Sequence, residues 1–184
     1  MPELISILRD ILQLRRGPQD LPYAPSLLSM LAVCCTAAQA IARTIPVPVG
    51  LGASFAAAAI ETLLILITLH LALNMRGIGN RFVQAATGLI GCNLVFALLK
   101  LPIALAFGRV PLDTTGHIVA DQVTLTQLLL SPLIFALSLW QLAAIANVLR
   151  HSLNISFAAG IAAILGWIAL FTVLLSIIAA PAGG

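Results

Sequence analysis

The stretch GLGASFAAAAIETLLILITLHLALNM, residues 50–75, decides the fold. Apart from Glu61 and His70 it carries no ionisable side chain. As a helix rising about 1.5 Å per residue it would run roughly 39 Å, longer than the ~30 Å hydrocarbon core of a bilayer. A helix apolar on every side has no face for water and belongs in a membrane. The remainder of the chain reads as further helices gathered around this one.

Composition agrees. Of 184 residues, 61% are hydrophobic and 8% charged, and the mean hydropathy is +1.11. Soluble domains carry about 25% charged residues, so an ordinary globular protein is excluded. The net charge of +3 does not point to nucleic acid, because the nine basic residues are scattered at helix boundaries and form no stripe. Cys34, Cys35 and Cys92 lie in apolar runs with no histidine at ligand spacing, and read as small buried side chains. No residue pattern calls for a metal or a cofactor. The N-terminus lacks the continuous apolar core of a cleavable signal peptide, so the first span is expected to act as an uncleaved signal.

Outward from residues 50–75, the pattern divides the chain into three parts. Residues 1–24 comprise an amphipathic helix over 2–16 and a proline-rich link. Leu4, Ile7, Leu8, Ile11 and Leu12 repeat at helical spacing, opposite polar residues. The helix is too polar to span. It is expected in the headgroup zone with Arg15 and Arg16 near lipid phosphates, or packed on the cytoplasmic ends of the bundle. Gly17-Pro18 is expected to stop it. Residues 25–180 form the membrane domain. Its spans are placed at 25–43, 50–75, 82–107, 132–149 and 153–180, with 123–130 as an interfacial lead-in divided off by Ser131-Pro132. Pro102 is expected to kink the third span. Residues 108–121 form the longest connection, and residues 181–184 a short tail. The fold class is all-α integral membrane, a five-helix transmembrane bundle with an N-terminal amphipathic interfacial helix.

Charge sets the orientation. With the N-terminus inside, Arg9, Arg15, Arg16, Arg76, Arg81 and Arg150 face the cytoplasm, and only Arg43 and Arg109 lie outside. This obeys the positive-inside rule and predicts a cytoplasmic N-terminus and an external C-terminus.

Glu61 and Lys100 are the polar residues that most need explaining, because intramembrane charges are expensive and mark function by default. Counting along antiparallel neighbours places them about 6 Å apart in depth, within reach of a lysine stem. They form a candidate intramembrane pair, which fixes helix register or belongs to a proton- or ion-coupled path; otherwise Lys100 snorkels outward while Glu61 stays protonated. His70 lies about 180° around the helix from Glu61 and reads as structural. His117 and His151 fall in separate connections, against a three-histidine metal site. Asn93, Gln141 and Asn147 are expected to donate interhelical hydrogen bonds. Gly88 with Cys92, Ala158 with Ala162, and Ala162 with Gly166 are expected to allow close helix approach. Trp140 and Trp167 lie well inside their spans and are expected to pack.

Two stretches resemble a known family. GNRFVQAATGLIGCNLVFALLKLP, residues 79–102, is a basic glycine-containing loop followed by a helix that ends in proline. WQLAAIANVLRHSLNISFAAGIAAIL, residues 140–165, places a basic-His-Ser-Leu linker before a small residue that opens the last span. Together they resemble the Yip family of Ypt/Rab-interacting, five-span membrane proteins, in its compact bacterial form. The resemblance implies five spans, a cytosolic N-terminus and residence in a bacterial inner (plasma) membrane. It carries over no catalytic residue.

The function expected from the sequence is that of a non-enzymatic scaffold, partner-binding or membrane-organising subunit. Arg15, Arg16, Arg76, Arg81 and Arg150 supply candidate cytoplasmic contacts. The expected partners are the lipid bilayer and a membrane protein or second copy, with no nucleic acid. The alternative is a small proton- or ion-coupled transporter or channel using Glu61 and Lys100.

Overall fold

The computed structural model describes residues 2–47, 49–111, 119 and 122–179. His117 and the tail from residue 180, on which the sequence raised expectations, lie outside the described residues. Among the described residues six α-helices follow one another: α1 (Pro2–Leu12), α2 (Pro25–Thr44), α3 (Leu51–Met75), α4 (Phe82–Phe107), α5 (Leu125–Leu153) and α6 (Phe157–Ala179). Short 3₁₀ turns cover Pro18–Asp20 and Gly79–Arg81. No strand occurs among the described residues. Among the described residues, four helices are long and apolar enough to cross a membrane, with mean hydropathies of 1.6 to 2.1: Pro25–Thr44, Leu51–Met75, Gly79–Phe107 and Leu125–Leu153. In α6, Phe157–Val173 forms a shorter apolar stretch by the same measure.

The hub is α4, not α3. It packs against α1, α2, α3 and α5, whereas α3 leans chiefly on α2, and α6 on α5. Side-chain size explains the reversal. The first half of α4 presents Ala85, Ala86, Gly88, Gly91 and Cys92, all buried, so neighbouring segments can approach its backbone. The long aliphatic side chains of α3 include Leu63, Ile67 and Leu71, which face outward. Bulk keeps α3 at the edge of the bundle, and smallness gives α4 its place at the centre.

The helix ends follow local rules. Gly77 ends α3 at φ +70°, in the left-handed conformation that suits glycine, with Ile78 N–H returning to Leu73 O. Asn154 does the same for α5 at φ 51°. Thr124 caps α5 in a reciprocal capping box with Gln127. Pro132 does not divide α5, which is continuous from Leu125 to Leu153. Removing one N–H from a long helix leaves a single carbonyl short of its usual donor, a loss that membrane helices tolerate. Pro102 likewise lies inside the continuous α4.

The N-terminal segment departs from expectation. Helix α1 ends at Leu12, ahead of Gly17-Pro18, because Leu14 turns left-handed at φ 62° and Arg15 N–H closes onto Asp10 O. Of the two placements expected for α1, packing on the bundle is the one seen: Leu8 and Ile11 are buried, and the helix lies alongside α4 and α5. Trp140 Nε1 donates to Leu12 O at 2.9 Å. That contact stands roughly 20 Å up α5 from Leu153 at helical rise. Asp10 is 3.5 Å from Arg9 and 3.3 Å from Arg16, so part of the polar side is paired within the segment itself. Asn147 Nδ2 donates to Arg16 O at 3.0 Å, and Gln84 Nε2 to Leu21 O at 2.8 Å, holding the link that follows.

Close helix approach also falls elsewhere than expected on α6. Ala158, Ala162 and Gly166 are exposed. Gly160 makes the contact: a Cβ there would sit 2.8 Å from Ala146 O. On α4 the pair Gly88 and Cys92 is buried, with Gly88 receiving the Pro18 ring.

Candidate functional site

A large cavity lies between the helices, with a volume of about 870 Å³. This is toward the upper end of the roughly 300–1,000 Å³ typical of small-molecule sites. Walls come from α2, α3, α4, α5 and α6. One end of the bundle is basic, carrying Arg76, Arg81 and Arg150. Near that end the wall is apolar, through Leu69, Leu89, Ile145, Leu149 and Leu153. Toward the opposite end the lining turns polar, through Gln39, Arg43, Glu61, Lys100, Ser138 and Gln141.

The polar end is built from two groups. On one side, Arg43 of α2 donates to Glu61 of α3, and Thr36 meets Thr62 at 3.2 Å between the same helices. The Arg43–Glu61 pair is part-exposed, at 34% and 19% of side-chain area. On the other side, Lys100 Nζ of α4 donates to Ser138 Oγ at 3.0 Å and to Gln141 Oε1 at 2.7 Å, both on α5. Both acceptors are themselves oriented. Ser138 spends its hydroxyl hydrogen on Ile134 O at 2.8 Å, which turns its lone pairs outward. Gln141 Nε2 donates to Asn93 Oδ1 at 2.8 Å, which aims its carbonyl at the lysine. An ammonium has three N–H donors, and these contacts use two.

Glu61 and Lys100 therefore face one cavity without bonding each other, which corrects the direct pairing expected from depth. The missing element was Arg43. Counted only as an external cation at the end of the first span, it lies in the last turn of α2 and its long side chain reaches Glu61. Ser138 was missed as well, since a lone serine in a span normally bonds its own helix backbone, and this one does both.

Both α3 and α6 line the cavity, and each packs chiefly elsewhere, α3 on α2 and α6 on α5. At the basic end, Arg76 Nη1 donates to Leu153 O at 2.7 Å and draws α3 to α5. At the other end, Val110 N–H bonds Pro46 O at 2.8 Å and Gln127 Nε2 bonds Arg109 O at 2.8 Å, tying the connecting segments together.

The remaining candidate residues fall into place around this frame. Arg15, Arg16, Arg76, Arg81 and Arg150 are all exposed. Asn147 holds Arg16 beside α5, bringing the N-terminal arginines toward the same end as the loop arginines. His70 Nε2 is 2.9 Å from Asn74 Nδ2 and its ring meets Phe82 edge-on. Trp140 packs edge-on against Phe96, and Trp167 stacks on Phe171 while lining the cavity. Cys35 and Cys92 are buried, whereas Cys34 is exposed on the outer surface of α2, where a small thiol sits as readily as alanine. Among the described residues no group of three or more His, Cys, Asp or Glu side chains could hold a metal.

No protein-family model matches the chain, and neither a curated protein nor a solved structure does.

Proposed function

We propose that the chain is a non-enzymatic, five-span integral membrane protein that takes an amphiphile sideways from the bilayer into the cavity, α6 providing the fifth span. The observation that carries this reading is the division of the cavity: an apolar length toward one end and a hydrogen-bonded polar cluster toward the other. A molecule with a tail and a head matches that division, whereas a water-soluble solute would leave the apolar wall unmatched. The amphiphile makes the protein a membrane-organising or carrier subunit, and the exposed arginines offer its cytoplasmic partner contacts. In this reading the N-terminus is cytoplasmic, the C-terminus external, and the basic end faces inward. The cavity carries the proposal without the likeness to the Yip family, which rests on the two quoted stretches alone.

Extraction of the protein with its surrounding lipid, followed by native mass spectrometry, tests the reading. One amphiphile retained per chain after delipidation is expected, and its loss in Ala97→Phe, which fills the cavity wall. Retention of lipids only in bulk proportions, unchanged in the variant, would refute it. Proton- or ion-coupled transport is the second reading, favoured by the presence of Glu61 and Lys100 on one cavity. Flux of a pH-sensitive dye signal in liposomes, lost in Glu61→Gln, would select it instead.

A further inference from the structure

We infer that the cavity selects an anionic amphiphile, whose oxyanion head is held by Lys100; this rests on the amphiphile reading above and names its substrate class. Three cationic or acidic groups face the polar end: Arg43, Glu61 and Lys100. Arg43 and Glu61 cancel each other. Lys100 has no carboxylate within ion-pair distance among the described residues, and its two partners, Ser138 and Gln141, are neutral. The polar end therefore carries one uncompensated positive charge.

The lysine is also fixed in position. Its acceptors are locked from behind by Ile134 O and Asn93 Oδ1, so the ammonium is held against α5 with one donor unspent. In a low-dielectric setting an uncompensated ammonium attracts an anion strongly, and a charge-assisted hydrogen bond adds direction. From Gln141 to Leu153 the α5 wall extends roughly 18 Å at helical rise, lined by Leu142, Ile145 and Leu149. That length accepts an alkyl tail running from Lys100 toward the basic end. The head can be a carboxylate or a phosphate monoester, since both present oxygen acceptors to a single ammonium.

The test uses the full chain in nanodiscs of zwitterionic lipid, with three fluorescent probes of one chain length: a fatty acid, the matching alcohol and the matching alkyl trimethylammonium. An alkyl phosphate of the same length separates the two oxyanion sources. The wild type is expected to bind the fatty acid or the phosphate on the order of tenfold or more tightly than the alcohol. Lys100→Met should abolish that preference while keeping alcohol binding, and Lys100→Arg should restore much of it. The retained alcohol binding guards against a misfolded variant. Equal affinity for all heads, or preference for the cation, would overturn the anionic assignment and leave the amphiphile reading intact. A preference that survives in Lys100→Met would overturn Lys100 as its source. Failure of every probe to bind the wild type would defeat the amphiphile reading itself.

Discussion

Replacing Gly160 with alanine tests the packing of α6 against α5 and separates the structure from the sequence pattern. A methyl there would lie 2.8 Å from Ala146 O and 3.3 Å from Ala146 Cα. Both are backbone atoms, so no side chain can rotate away, and α6 must move outward by roughly 0.5 Å to restore contact distance. A gap of that size forfeits about a quarter to a half of each neighbouring dispersion contact. Overpacking of this kind costs about 1–3 kcal/mol. Alanine also improves helix propensity by about 1 kcal/mol over glycine. Gly166→Ala isolates that gain, because nothing lies within 4 Å of a Cβ at that site. Propensity cancels between the two variants, so their difference should be the overpacking cost alone, about 1–3 kcal/mol with Gly160→Ala the weaker. Reversible unfolding in mixed micelles of graded denaturing detergent measures both. Equal stabilities, or a larger loss in Gly166→Ala, would refute the placement of the α5–α6 contact.

Three further substitutions probe the polar pair and the N-terminal helix. Arg43→Met and Glu61→Gln each strand one charge; since both side chains are part-exposed, the loss should be roughly 1–3 kcal/mol rather than that of a fully buried pair. The double variant should lose less than the sum, and strict additivity in thermal unfolding would show that the two do not interact. Ile11→Ala should destabilise by about 2–4 kcal/mol, because Ile11 is 0% exposed between α1 and the bundle. A helix resting on headgroups would lose under about 0.5 kcal/mol, so a change that small would return α1 to the membrane surface.

Much of the architecture was legible because lipid imposes a simple condition: long apolar runs must be helices. Residues 25–43, 50–75 and 82–107 fall within one or two residues of α2, α3 and α4. What hydropathy does not encode is which helix sits in the middle. Residues 50–75 are apolar on every side, yet several of their large side chains face outward; the centre belongs to the small residues of α4. On α6, small residues occur on several faces, so spacing alone could not distinguish Gly160 from Gly166. Serine next to proline suggested a break in α5, but a single lost hydrogen bond cannot interrupt a helix of 29 residues. At the site, Glu61 and Lys100 stood out by charge, whereas Arg43 was hidden by its nearness to a turn. Side-chain reach, which sequence position does not report, joined it to Glu61. The helix α1 was legible as amphipathic; its docking partner was not, because the apolar face of such a helix suits lipid and protein equally.

Trp167 offers the most direct measurement of the central claim, since it lines the cavity while Trp140 turns toward Leu12. In a Trp140→Phe background reconstituted in bilayers, a bromine-labelled fatty acid should quench Trp167 saturably at low mole fraction, and unlabelled fatty acid should reverse it. Quenching that rises only in proportion to the brominated lipid, with no saturation and no competition, would mean that Trp167 meets bulk bilayer and that the cavity holds no amphiphile.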